Sequence, residues 1–384
     1  MTGPLSGIHI ADFSHVMAGP YAAHLLCAMG AEVIKIEPVG KGDNFRNYGA
    51  DRRYDGMSPA FIGANAGKKS IALDLKQAGD LAIARAIVTR CDVLLENFRP
   101  GVIDRLGLGY AAAQALNPDI IFCSVSGYGQ DSPRRDWPAI DNIVQATSGM
   151  MMLSGNEGDP PSRIGFPVVD TLTGQTAAMA ILSALFKRER GGGGAHIDVA
   201  MFDASLAFMN AALVPYLVTG KPMQRMGNTG YSGLPTAALF TARDGRQISL
   251  GVVQPNQFAA LARLVGRKDW LSDPRFATPD ATRAHFSAMT DQLAAVIATR
   301  DAADWEASMS AAGIPCGMVR TVAEAAALAG PGSLQPVHIS GSPDGEDVDV
   351  TGTGFQMAGT DLGPTTAPPK LDEHREEILQ WLGR

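Results

Sequence analysis

The chain has 384 residues, 46% hydrophobic and 18% charged, which is apolar material for more than one buried core at the usual ~150 residues per domain. Thirty-two basic residues against 39 acidic ones leave a formal net charge of −7, so no global positive field exists to hold a phosphate backbone, and nucleic acid is not expected as a partner. Forty-three glycines and 24 prolines argue against a helical bundle or coiled coil and for a loop-rich α/β enzyme.

Residues 1–20 lack the basic start and apolar run of a secretory signal, and no stretch of about twenty residues reads as apolar enough to span a bilayer. A cytoplasmic protein with no membrane partner is expected. Residues 7–13 read as a buried strand, 18–29 as a helix and 32–36 as a second strand, a right-handed βαβ unit that begins a parallel sheet. Further strands are expected at 70–73, 93–95 and 120–125, with helices at 78–90 and 101–114 between them, the alternation of a doubly wound sheet. A helix over 171–190 precedes four glycines, a flexible turn and candidate hinge, and then the strand-like AHIDVAM.

The pattern changes after residue 216. A stretch rich in Gly, Pro and Asn leads into a hairpin, 237–240 with 247–253 around the turn ARDGR, and then helices at 256–265, 283–300 and 302–312. Residues 330–363 read as loop, and an amphipathic helix at 371–382 closes the chain. The expected organisation is a Rossmann-like large domain over 1–224, a smaller α+β domain over 225–328, and a segment, 329–384, that returns to the large domain.

Several chemistries are poorly supported. After the first strand the sequence SHVMAGPYAAHLL has one glycine where a dinucleotide fold carries GxGxxG, so Glu37 reads as a strand-end carboxylate rather than a ribose ligand. A P-loop, an HExxH helix, a GxSxG elbow and an EF-hand loop are absent. Cys27, Cys91, Cys123 and Cys316 are dispersed and read as reduced thiols, Cys316 in GIPCGMV being the one weighed as a nucleophile. His24, His196, His285, His338 and His374 have no partner at metal-ligand spacing, and no metal is expected.

The loops are informative as a series: DFSHVMAGP, KIEPVGKGDNFR, NAGKKSIALDLK, ENFRPGVIDRLGLGY, SVSGYGQDSP, GFPVVDTLTGQTAAMAILSALFKRERGGG, GIPCGMV and APPKLDEHREEIL. With these motifs in this order over nearly its whole length, the chain resembles the class III coenzyme A transferases, the group that includes formyl-CoA:oxalate and carnitine CoA-transferases and the α-methylacyl-CoA racemases. The resemblance implies acyl-CoA and small carboxylic acid substrates, succinyl-CoA among the plausible donors, no permanently bound cofactor, and an intertwined homodimer. Coenzyme A carries phosphates that call for basic side chains beyond parallel strands, and Arg46, Lys68, Lys69, Lys76, Arg99 and Arg105 are so placed, though each alone reads more readily as a surface charge. By resemblance, His15, Lys76, Asn97, Phe98 and Arg105 line the CoA site, with Met17, Ala18, Arg46, Leu73, Arg99 and Ile140 added to the same set.

Asp170 is the central residue. On spacing, Asp followed by Thr-Leu-Thr is a good helix N-cap. By resemblance it is the covalent nucleophile: its carboxylate attacks the thioester, forms a mixed anhydride, expels CoA thiolate and becomes an aspartyl-CoA thioester. The apolar Phe166, Val168 and Val169 could keep water from the anhydride. The racemases place a catalytic His just before the Asp of the segment that here reads DWPAIDNIV, and Ile140 stands there ahead of Asp141, which favours transferase over racemase. Met17 replaces a glutamine of the oxalate-using members, and GNTGYSG, residues 227–233, replaces their tetraglycine loop, so formyl-CoA and oxalate are not the expected pair. Arg52 and Arg53 are candidates for an acceptor's second carboxylate, with surface arginines at least as good a reading. A CoA-binding partner subunit of a heteromeric transferase is the non-enzyme alternative, and the presence of Asp170 counts against it.

Overall fold

The computed structural model describes residues 3–330, 332–339 and 346–384. The chain forms two compact units: Met1–Met151 with Arg163–Lys221 and Ala329–Arg384, and Met152–Ser162 with Pro222–Leu328.

The first unit is built on six parallel strands: β1 (His9–Asp12), β2 (Glu32–Glu37), β3 (Lys69–Ala72), β4 (Val93–Glu96), β5 (Ile121–Ser126) and β6 (Ala195–Ala200), in the order β3-β2-β1-β4-β5-β6. Every residue of β4 and β5 is buried, as runs like VLLE and IFCSVS require when helices cover both faces of a sheet. The helices are α1 (Ala18–Ala28), α2 (Pro59–Asn65), α3 (Ala78–Arg90), α4 (Val102–Arg105), α5 (Tyr110–Leu116), α6 (Asp141–Thr147), α7 (Val168–Lys187), α8 (Met201–Phe208) and α9 (Asn210–Thr219). Chain direction across the sheet reverses between β1 and β4, which opens a crevice beyond their carboxyl ends.

The structure corrects several expectations here. The helix expected over 101–114 is two helices, α4 and α5, because Gly107 turns the chain at φ +74°. Helices α2 and α6, seven residues each, were too short for a periodicity to declare them. Helix α7, with the π turn Arg188–Gly192 that follows, is long and apolar enough by composition to cross a membrane, contrary to the reading that no stretch was; 56% of its apolar window is buried inside the fold, where it packs on α1 in the main core cluster. The glycine run passes close to the sheet, since a Cβ on Gly194 would lie 2.5 Å from the Ile120 carbonyl oxygen.

In the second unit, β7 (Leu239–Thr241) and β8 (Gln247–Leu250) pair antiparallel, and β9 (Cys316–Met318) adds a third strand that its three residues did not announce. Helices α10 (Pro255–Leu264), α11 (Pro279–Ala284), α12 (Phe286–Ile297), α13 (Ala302–Ala311) and α14 (Val322–Ala326) complete it around a core containing Trp270, Phe276, Leu293 and Trp305. The single helix expected over 283–300 begins earlier and breaks at His285.

The stretch read as loop from 330 contains a hairpin, β10 (Leu334–Ile339) with β11 (Glu346–Thr351), in antiparallel register. Val337, Ile339 and Val350 are buried against Phe61 and Ile62 of α2, an apolar side that the glycines and prolines around it masked. Residues 331 and 340–345 of that stretch lie outside the described residues. The chain then returns along β3: the Ala72 N–H donates to Asp372 at 2.8 Å, and Ile378 and Leu382, in and after α15 (Arg375–Trp381), enter the core below the sheet.

Candidate active site

A cleft of about 1150 Å³ lies beyond the carboxyl ends of β1, β4 and β5. The segments that follow these strands line it with His15, Met17, Ala18, Asn97, Phe98 and Arg99, and Ile140, Asp141 and Asp170 close it from α6 and α7. Eight of the site residues expected from the sequence therefore meet in one cleft with Asp170 among them.

Two helix starts bring Asp170 against the first loop. Gly174, one turn into α7 from Asp170, lets the helices touch: a Cβ there would lie 2.7 Å from the Ala18 carbonyl oxygen and 2.9 Å from the Tyr21 ring. Across the loop, Asn97 clasps His15, accepting from its backbone N–H at 2.8 Å and donating to its carbonyl at 2.8 Å. The His15 ring meets Phe98 edge-on, 5.6 Å between centroids, and burial with the charge of Lys35 holds its pKa below the usual value, so the ring is neutral at physiological pH.

Asp170 is not the N-cap of its helix. Helix α7 begins at Val168, which puts Asp170 in its first turn, and the cap comes from Asp141, twenty-nine residues away at the start of α6. One Asp141 carboxylate oxygen accepts from the Val169 N–H at 2.7 Å and the Asp170 N–H at 3.2 Å; the other accepts from the Gln145 amide at 2.6 Å. Gln145 in turn accepts from the Ile164 N–H at 2.9 Å, so one partly buried chain of bonds fixes the segment leading into Asp170. Burial, and then the neighbouring charge of Asp141, push the Asp170 carboxyl up to about 7. Asp170 is accordingly not fully ionised at neutral pH, contrary to the expectation for an ordinary carboxylate. A carboxyl so shifted, in a cleft, is a candidate for a reactive group. Asp141 itself was missed as a functional residue; the only signal in the sequence was Asp at the first position of a short helix.

The remaining candidates fall elsewhere. Arg46 is buried outside the cleft lining, with three of its five donors spent on a two-pronged bond to Glu37 (2.8 and 2.7 Å) and a third to the Pro369 carbonyl, which makes it a partner of Glu37 rather than a phosphate ligand. Lys68 is fully buried on Asp12 at 2.9 Å, and Lys69 bonds Glu32 and Glu377. Leu73 is a core residue of the cluster on which Phe98 packs. Lys76 and Arg105 are exposed and outside the cleft lining, Arg105 with its guanidinium beside Gly101. Arg53 holds Asp51 at 2.7 Å and does not line the cleft, and the side chain of Arg52 lies outside the described residues. Burial pushes the Cys316 thiol up to about 11, which makes it a poor nucleophile.

A cleft of about 1150 Å³ at the switch point of a doubly wound sheet, with a buried carboxyl in its lining, has room for a sizeable ligand beside a candidate nucleophile. The chain belongs to CoA-transferase family III, whose model matches residues 5–375, and it is a CoA-transferase of that family. It is 40% identical over 375 residues to the acetyl-CoA:oxalate CoA-transferase of Acetobacter aceti, covering 97% of this chain and 94% of that one. It is 33% identical over 381 residues to the succinyl-CoA–D-citramalate CoA-transferase of Chloroflexus aurantiacus, covering 98% and 93%. The crystal structure of a CaiB/BaiF family protein from Brucella suis superposes with a TM-score of 0.87 at 32% identity over the full length of both chains.

Proposed function

We propose that the protein moves CoA from a short acyl-CoA to a dicarboxylic acid through covalent intermediates on Asp170. The observation that carries this reading is the Asp170 carboxyl itself, placed in the cleft by the Asp141 cap and shifted up to about 7. A carboxylate oxygen of Asp170 attacks the thioester carbonyl carbon; the C–S bond breaks and CoA leaves as thiolate. The thiolate then attacks the aspartyl carbonyl of the mixed anhydride, releasing the donor's acid and leaving aspartyl-CoA. The acceptor carboxylate opens that thioester, forming a second anhydride, and the thiolate returns to the acceptor's carbonyl to give the new acyl-CoA and free Asp170. Each step exchanges one activated acyl bond for another. Val168 and Val169 are buried and Phe166 lies on the cleft wall, where they keep water from the anhydride.

The acceptors named for both relatives, oxalate and citramalate, carry two carboxylates. Oxalate therefore returns as an acceptor, with acetyl-CoA rather than formyl-CoA as the donor named beside it, despite Met17. In this chain Arg163 takes the part first given to Arg52 and Arg53: it lines the same cleft as Asp170, and its neighbour Ile164 is tied through Gln145 to the Asp141 cap. A guanidinium there can hold the acceptor's second carboxylate while the first meets Asp170. Replacing Arg163 by Gln is expected to raise KM for dicarboxylates about tenfold or more and leave monocarboxylates and the acyl-CoA KM within about twofold. A rise in the acyl-CoA KM alone would assign Arg163 to a CoA phosphate instead.

The active form is proposed to be a homodimer. Helix α9 has the sequence NAALVPYLVT, yet none of its residues is buried, Leu217 and Val218 being among the most exposed, and Met179, Phe186 and Phe208 add further large exposed apolar groups on the same unit. Sedimentation at micromolar concentration should show a dimer; a stable, active monomer would contradict it.

A further inference from the structure

The wall of the cleft formed by residues 14–18 is held in a conformation its own side chains disfavour. Val16 has φ +66°, a left-handed backbone that a β-branched residue adopts only when its surroundings force it. The force comes from Asp43, a fully buried side chain that does not line the cleft. Both of its carboxylate oxygens accept from the Val16 N–H at 3.1 Å, one also accepts from the Phe45 N–H at 2.9 Å, and the other pairs with buried Lys35 at 3.0 Å. Lys35 donates to the Ser14 carbonyl at 2.9 Å, so one ion pair grips the turn on both sides of His15. Behind Asp43, its N–H donates to Glu37, the carboxylate that Arg46 clamps. Gly19 completes the grip: a Cβ there would lie 2.3 Å from that of Ser14.

Two buried charges and a strained valine are more than a loop needs in order to connect a strand to a helix. The geometry points to Asp43 as a positioning residue for acyl transfer: with Lys35 it locks Val16 in the left-handed turn and so fixes His15 and Met17 in the wall opposite Asp170. The proposal rests on this cleft being the acyl-transfer site, which chemical trapping on the wild-type enzyme tests independently.

Asp43→Asn is expected to lower kcat/KM for acyl-CoA roughly tenfold or more and to lower the thermal midpoint, since the turn loses its charged anchor and Lys35 its carboxylate at 3.0 Å. Val16→Gly separates positioning from folding: glycine adopts the positive φ without strain and keeps the backbone N–H, so it holds the turn when the anchor is weakened. Added to Asp43→Asn, it should recover severalfold of the lost kcat/KM while the thermal midpoint stays low. Wild-type kcat/KM in Asp43→Asn, or a double variant no faster than Asp43→Asn alone, would overturn the assignment.

Discussion

Asp170→Asn is expected to lower acyl transfer by four orders of magnitude or more while CoA binding, read by calorimetry, stays within severalfold of wild type. An amide does not open a thioester at useful rates, and no other carboxyl group of the cleft has its place: Asp141 is committed to the start of α7 and to Gln145. The variant is also expected to be the more stable protein at alkaline pH. A carboxyl whose pKa rises from 3.8 unfolded to about 7 folded favours the native state least where it is ionised. Wild-type stability should therefore decline from about pH 4 to pH 7 on this account, and Asn removes the decline. The advantage of Asn should reach roughly 2 kcal/mol at pH 8, after discounting for partial solvent access and for a lost favourable charge in the first turn of the helix. Urea unfolding of both proteins at pH 5 and pH 8 measures it. The same shift sets the pH dependence of the wild type: kcat/KM should climb with pH through about 7 as Asp170 ionises.

The second large effect belongs to Asp141. Asp141→Asn keeps an oxygen for the α7 N–H groups but removes the like charge beside Asp170, so the acid limb of the pH profile should move to lower pH. Asp141→Ala removes the cap as well. It is expected to cost about 1–2 kcal/mol of stability and to reduce kcat roughly a hundredfold, because the segment that aims Asp170 loses its anchor. An unchanged pH profile in the Asn variant would show that Asp141 holds the helix and does nothing to the charge of its neighbour.

Local signals carried much of this structure. The alternation of apolar strand runs with helical stretches pointed to the parallel sheet, and the motif series placed His15, Asn97 and Phe98 after strands and Asp170 at a helix start, positions that the structure gathers into one cleft. What escaped the sequence are partnerships across it. Asp170 looked like a cap because the residues after it suit one, yet the carboxylate that caps α7 comes from another helix. Arg46 and Lys68 looked like phosphate ligands because they lie on loops next to strands, Arg46 after β2 and Lys68 before β3; their partners, Glu37 and Asp12, lie on adjacent strands, and the pairing of Lys68 becomes visible only once the sheet is assembled. Asp43 drew no notice at all, since a buried aspartate that supports a turn twenty-seven residues away has no local signature.

Trapping the intermediate tests the central claim most directly. Wild-type enzyme incubated with acetyl-CoA or succinyl-CoA and then hydroxylamine, or borohydride, should yield one modified peptide by mass spectrometry. The modification should lie on Asp170, as the hydroxamate or the reduced alcohol, and should be absent from Asp170→Asn. A label on a different residue, or an unlabelled Asp170 in an enzyme that transfers CoA at full rate, would contradict the covalent role assigned to it.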